Sequence, residues 1–264
     1  MPEASKNVPL RVEQYRRALD EAASLPLARS IIATKIANTR AVVALYATNY
    51  PGPEMARARD EFERLEDKAA RAASRAELLG LEGAAAAQWF ELFARLNRSG
   101  MPFPGRRMNP SPDPVNALLS LGYTFLGNEL RTLVEGAGLE PHIGFLHQVD
   151  YGRPSLSLDL LEAFRVPVID RLTLRLVNKG TLRAENFGRS VAGRGAGRVV
   201  LNPASFEVYL RAYEETVTAS RKGAPQGIRA ELAGQVEKLK AWLAGGELFQ
   251  PWREEAGDVV PGEL

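Results

Sequence analysis

The 264-residue chain contains no cysteine. That single absence excludes disulfides, zinc–cysteine sites, iron–sulfur clusters and thiol nucleophiles together. It also fits a reducing compartment, so a cytoplasmic location is expected. No run of about 18 apolar residues occurs, which leaves no candidate membrane span, and the opening MPEASKNVPLRVEQYRRALDEA lacks the apolar h-region of a secretory signal. Histidine is nearly missing: His142 and His147 are the only two, so imidazole chemistry has little choice of residue. Lysine is scarce beside arginine, seven against 27, and the net charge is only +2. Such a charge does not announce a nucleic-acid binder. Arginine's planar fork does engage phosphate bidentately, although GC-rich codon usage explains the same composition equally well.

What is present is mostly helix, with ample length for a buried core. Residues 10–48 read as two helices separated near Pro26, the second carrying Ile31, Ile32, Ile36, Val42, Val43 and Leu45. Residues 54–77 alternate acids and bases, the pattern of a largely solvated helix. Trp89, Phe90, Phe93 and Leu96 then recur at helical spacing until Gly100. The proline-rich stretch 101–114 predicts an exposed loop, and Asp113-Pro114 opens a clean amphipathic helix over 114–137. Further helices are expected over 155–164, ending before Pro167, and over 168–178, 203–221 and 225–244. Near 180–202 a Gly-rich middle between β-like ends predicts a short hairpin or a loop. The expected organisation is a mainly α fold: an extension over 1–9, one helical domain over 10–250, and a flexible tail over 251–264.

Chemistry concentrates around GFLHQ and SLSLDLLEAF. His147, Asp159 and Glu162 place one imidazole and two acids in a short segment, and acids three apart on a helix point to one side. Leu156, Leu158, Leu160, Leu161 and Phe164 surround the acids, so the helix should be buried. A buried carboxylate needs a cation or hydrogen-bond donors to offset desolvation. A divalent cation meets that need and suits phosphodiester chemistry; Arg165 meets it with no metal at all.

The blocks ARSIIATKIANTRAVV, LLGLEGAAAAQWFELF, DPVNALLSLGYTFLGNELRTLVEGAGLEPHIGFLHQ, YGRPSLSLDLLEAFRVPVIDRLTLRLVNKG and GRVVLNPASFEVYLRAYEETV together resemble the catalytic domain of the CRISPR-associated protein one family. The resemblance covers about residues 10–250. It implies a DNA integrase and endonuclease that inserts spacers into CRISPR arrays. It further implies a metal held by Glu82 of GLEG, His147 of GFLH and Glu162 of LDLLE, with Asp159 as an auxiliary acid. Read from its residues alone, Glu82 is an acid at a helix start, where the dipole favours it. The small residues Gly83 to Ala87 after it would let another backbone come close. The donor set suits Mg²⁺ or Mn²⁺, imidazole tilting the preference toward Mn²⁺.

DNA contacts are expected from Arg153 of YGRP, from Arg183, Arg189, Arg194 and Arg198 in the segment 180–198, and from Tyr123 on the long helix; Arg106 and Arg107 are weaker candidates. The implied partners are double-stranded DNA, both prespacer and CRISPR leader–repeat, a second copy of the chain, and CRISPR-associated protein two. Family members also carry an N-terminal β-rich domain, and no β-alternating segment precedes residue 100 here, so contacts built by that domain are not expected. A transposase-type integrase and a non-catalytic DNA-binding scaffold are the competing readings.

Overall fold

A computed structural model describes residues 7–107, 110–147, 150–190 and 197–255. Within them lie nine α-helices and one two-stranded sheet, the mainly α fold that the periodicity predicts.

The first two helices, α1 (Val8–Leu19) and α2 (Glu21–Asn49), part at Asp20 and not near Pro26. The Asp20 carboxylate accepts from the Ala22 and Ala23 amides, which makes it the N-cap of α2. Pro26 lies inside that helix. Lacking an N–H, it forgoes one bond to the Ala22 carbonyl, and burial of Leu27, Ile31 and Ile32 on the same helix offsets the loss.

Helix α3 (Pro53–Arg71) packs along α2 through Met55, Phe62 and Leu65. The charged pattern runs on to 77, yet the helix stops at Arg71. Ser74 accepts from the Glu77 amide, and the Glu77 carboxylate accepts from Ala73 N, so a new helix α4 (Arg75–Leu96) starts there.

Helix α5 (Pro114–Gly136) is capped by Asp113, which accepts from the Asn116 amide at 2.8 Å. The preceding loop is less exposed than its prolines suggest. Phe103 packs on Phe93 with ring centres 4.9 Å apart, and the Asn116 side chain bonds Gly105 O and Arg107 N.

The helical run that begins with α6 (Ser155–Leu161) does not stop before Pro167. It tightens into a 3₁₀ turn (Glu162–Phe164), widens into a π turn (Arg165–Asp170) and continues as α7 (Arg171–Asn178). The π turn is where the proline, with no N–H to give, is accommodated.

Strands β1 (Phe187–Arg189) and β2 (Val199–Leu201) form the expected hairpin, Phe187 opposite Leu201. Helices α8 (Pro203–Thr218) and α9 (Ile228–Leu243) follow. The segment after Pro251 is not the free tail its composition suggests, at least through Glu255. Trp252 stacks on Phe164, ring centres 5.0 Å apart, and donates its indole N–H to Gly223 O. Asn38 of α2 donates to both Ala163 O and Trp252 O and accepts from Glu254 N. One apolar cluster therefore runs from Leu10 to Trp252, beyond the expected limit of the domain. Residues 1–6 and 256–264 lie outside the described part of the chain. Among the described residues no helix is long and apolar enough to cross a membrane.

Candidate metal centre and nucleic-acid interface

Asp159 organises the loop that carries the histidine. Its Oδ2 accepts from the amides of Phe145 (2.6 Å) and Leu146 (2.9 Å), and its Oδ1 from the amide of His147 (3.1 Å). Oδ1 also lies 2.6 Å from His147 Nδ1. A carboxylate at that distance places the ring proton on Nδ1 and leaves the Nε2 lone pair free. The carboxylate is thereby used up, and Asp159 is absent from the lining of the neighbouring cavity. Asp159 thus acts through His147. Gly144 makes this grip possible, because a methyl group there would lie 2.7 Å from Asp159 Oδ2 and 2.9 Å from the Ser155 carbonyl carbon.

Glu162 follows one turn later and does reach the cavity, which measures about 360 Å³ and is lined by Lys35, Glu82, His147, Arg153, Glu162 and Arg165 among others. Glu82 arrives from α4, where it sits two turns inside the helix and not at its start, so the dipole argument for an acid there does not hold. Gly80 and Gly83 in the helix interior disguised that boundary. Helix α2 packs on α4 here, but through one side of the small-residue stretch only. Gly83 faces open space and Ala84 and Ala87 are exposed, while Ala85 is buried and lines the cavity with Ala86.

A third party holds the two glutamates. The Lys35 ammonium contacts Glu82 Oε1 and lies 2.7 Å from Glu162 Oε2, while Arg165 Nε approaches the same Oε2 at 3.0 Å. Burial opposes the charge on Glu162, but Arg165 first, then Lys35 and His147, bring its carboxyl down to about 2. Burial likewise opposes the charge on Lys35, and Glu162 and Glu82 outweigh it, so the amine holds its proton more firmly than usual. Among the described residues, no three acids or imidazoles enclose an ion as they lie. The donor chemistry nevertheless suits one: two carboxylates and a neutral imidazole with its free nitrogen turned away from Asp159. Glu162 Oε2 is moreover buried without an aligned hydrogen bond.

Tyr123 lines the same cavity. Two guanidiniums lie over its ring, Arg165 at 4.7 Å and Arg106 at 5.3 Å from the centroid, and its hydroxyl donates to Asp170 Oδ1. Trp89 donates to Asp170 Oδ2 at 2.6 Å. Burial raises the Asp170 carboxyl to about 6 despite those two donors. Beyond Tyr123 opens a second cleft of about 460 Å³ that shares Arg106, Tyr123 and Arg165 with the first and adds Arg131 and Arg198; no acid among the described residues lines it. Among the described residues Arg106 bonds neutral partners only, Asn116, Ser120 and Arg107 O, and burial followed by nearby Arg165 weakens its hold on its proton.

The structure therefore brings Glu82, His147, Glu162, Arg153 and Tyr123 to one cavity, with Arg198 in the adjoining cleft. Arg183 and Arg189 lie elsewhere, exposed and folded back on Gly180 O and Gly197 O. Arg194 lies outside the described residues.

The family model described as "CRISPR associated protein Cas1" matches residues 1–215. The "CRISPR-associated endonuclease Cas1 2" of Rhodospirillum rubrum is 36% identical over 93% of this chain and 74% of that protein. The chain belongs to the Cas1 family. A second relative, "CRISPR-associated endonuclease Cas1 3" of Thermus thermophilus, is 38% identical over 80% of this chain and 59% of its own length. The solved Cas1 structure from Thermotoga maritima superposes with a TM-score of 0.77, at 25% identity, covering 94% of this chain and 74% of that one. A casposase bound to its integration product shares the fold, with a TM-score of 0.79 at 23% identity, over 98% of this chain and 75% of that one.

Two residues of this Cas1 chain go unmarked by motif or resemblance. Lys35 had a signal, since a lone lysine among Ile31, Ile32 and Ile36 marks a buried charge in need of partners. Asp170, in the apolar run VPVID, carried the same kind of mark.

Proposed function

We propose that this chain is a divalent-metal-dependent DNA integrase and endonuclease of CRISPR spacer acquisition. It joins the 3′-hydroxyl ends of a prespacer duplex to backbone phosphates of the leader–repeat. The observation that carries this reading is the convergence of Glu82, His147 and Glu162 on one cavity beside a cleft lined by arginines. The endonuclease names of the two relatives support it.

Glu82, His147 through Nε2, and Glu162 would hold Mg²⁺ or Mn²⁺. Bound there, the ion would supply Lewis-acid polarisation of the target phosphate and ease deprotonation of the attacking hydroxyl. His147 serves as a neutral ligand and not as a base, because Asp159 fixes its tautomer. Arg153 and Arg165 line the same cavity, where their charges attract the target phosphate. Arg106 and Arg198 hold the strand leaving along the cleft, and Tyr123 lines both spaces. Replacing one phosphodiester by another keeps the number of ester bonds constant, so no nucleotide energy source is needed.

The test is a strand-joining assay with a labelled duplex and a repeat-bearing plasmid. Joining should require Mn²⁺ or Mg²⁺, vanish with chelator, and vanish when the duplex ends in a 3′-dideoxynucleotide. His147→Ala should abolish joining while DNA binding persists; undiminished joining by that variant would reject the assignment.

A further inference from the structure

Lys35 stands where a cation would be expected. Its stem leaves α2 among buried isoleucines, and its ammonium bridges Glu82 of α4 and Glu162 beyond the end of α6. Those are the two carboxylates assigned to the metal, and any role for Lys35 toward that ion rests on the assignment.

The local charge is already balanced, with Glu82 and Glu162 facing Lys35 and Arg165. An added divalent ion would meet an ammonium on the same oxygens. A unit charge within about 4 Å weakens binding of a divalent ion by at least about tenfold, even at the dielectric of water. Arg165 is braced against the Tyr123 ring as well as Glu162. Lys35 has a flexible four-carbon stem, and the cavity of about 360 Å³ lies beside it.

We propose that the Lys35 ammonium is a built-in competitor of the divalent ion, bridging Glu82 and Glu162 until the ion exchanges with it and displaces it into the cavity. In the free protein the lysine keeps two acids compensated that would otherwise repel each other in a partly desolvated site. After exchange the cavity carries excess positive charge, which a phosphodiester neutralises. Metal and DNA should then strengthen each other's binding reciprocally.

The deciding experiment measures Mn²⁺ binding to the full chain, without DNA, by loss of the free-ion electron paramagnetic resonance signal. Lys35→Met and Lys35→Gln should both tighten Mn²⁺ binding by at least about tenfold. Both should also lower the thermal midpoint of the metal-free protein. Glu82→Gln and His147→Ala should weaken Mn²⁺ binding. If those two variants bind normally, the metal assignment falls, and the exchange with it. If they bind weakly while both lysine variants bind Mn²⁺ no better than the parent, the assignment stands and the exchange is refuted. Should the lysine variants fail to fold, the unaltered protein still decides. Among its seven lysines, one slowly exchanging ammonium resonance should move as Mg²⁺ is added. Ammonium resonances unmoved at saturating Mg²⁺ would overturn the exchange.

Discussion

Asp159 does its work without facing the cavity. Its two oxygens accept from three backbone amides and from His147 Nδ1, and the conservative change Asp159→Asn would test that role sharply. The asparagine carbonyl can still accept from Phe145 and Leu146, but its amide then meets the His147 N–H. The imidazole can answer only by accepting at Nδ1, which moves its proton to Nε2 and removes the lone pair needed by a metal. Mn²⁺ binding and strand joining should fall by about 10- to 100-fold, with a stability loss of about 1–3 kcal/mol from the repelled amide. Metal titration and thermal denaturation check both. Unchanged Mn²⁺ affinity would show that His147 needs no such orientation. This part of the site was legible beforehand, because the motif G-F-x-H and the acid twelve residues on form one local unit. Lys35 was not, because its partners lie 47 and 127 positions away and no local pattern announces them.

At the level of elements, misread boundaries share one cause: local propensity yielded to packing. Pro26 and Pro167 both look like stops, yet buried faces on either side carry the helix through each. Trp252 looks like a straggler in a tail, yet it closes the core over Phe164. The amphipathic helices and the hairpin were readable because their periodicity is local. Asp170 illustrates what only tertiary structure supplies, joining α4, α5 and the π turn through Trp89 and Tyr123. Its carboxyl rises from 3.8 to about 6 in the folded chain. The folded state therefore binds its proton at a pH where the unfolded state has released it. Stability from this group is gained as pH falls from above 6 towards 4 and is lost as pH rises through that window. Asp170→Asn keeps both contacts, accepting from Trp89 and donating to the Tyr123 oxygen, and removes the titration. Denaturant unfolding at pH 4.5 and pH 7 should show the variant's stability relative to the parent rising by about 2 kcal/mol at the higher pH. A difference independent of pH would mean that Asp170 is charged in both states.

For the whole molecule, the net charge of +2 conceals a segregation of charges. The groove between α3 and α4 interleaves both signs, as in Arg64–Glu61 and Arg95–Glu91. Among the described residues the cleft beyond Tyr123 is lined by Arg106, Arg131, Arg165 and Arg198 and by no acid. Arg131 pairs with Glu135 on its own helix and Arg165 with Glu162. Arg106 and Arg198 have no carboxylate partner among the described residues. Binding should therefore be set by this face and not by overall charge, and it should weaken linearly in log–log terms as salt rises. Arg106→Ala and Arg198→Ala should each reduce the salt slope by about one, uniformly across DNA sequences. Arg189→Ala, outside both cavities, should leave it unchanged. Arg106 should show the larger loss of affinity, because its guanidinium is already desolvated and held by Asn116 and Ser120. Less reorganisation is then needed to meet a phosphate. Equal slopes for the Arg106, Arg198 and Arg189 variants would place the DNA elsewhere, and the metal cavity would then have no track leading to it.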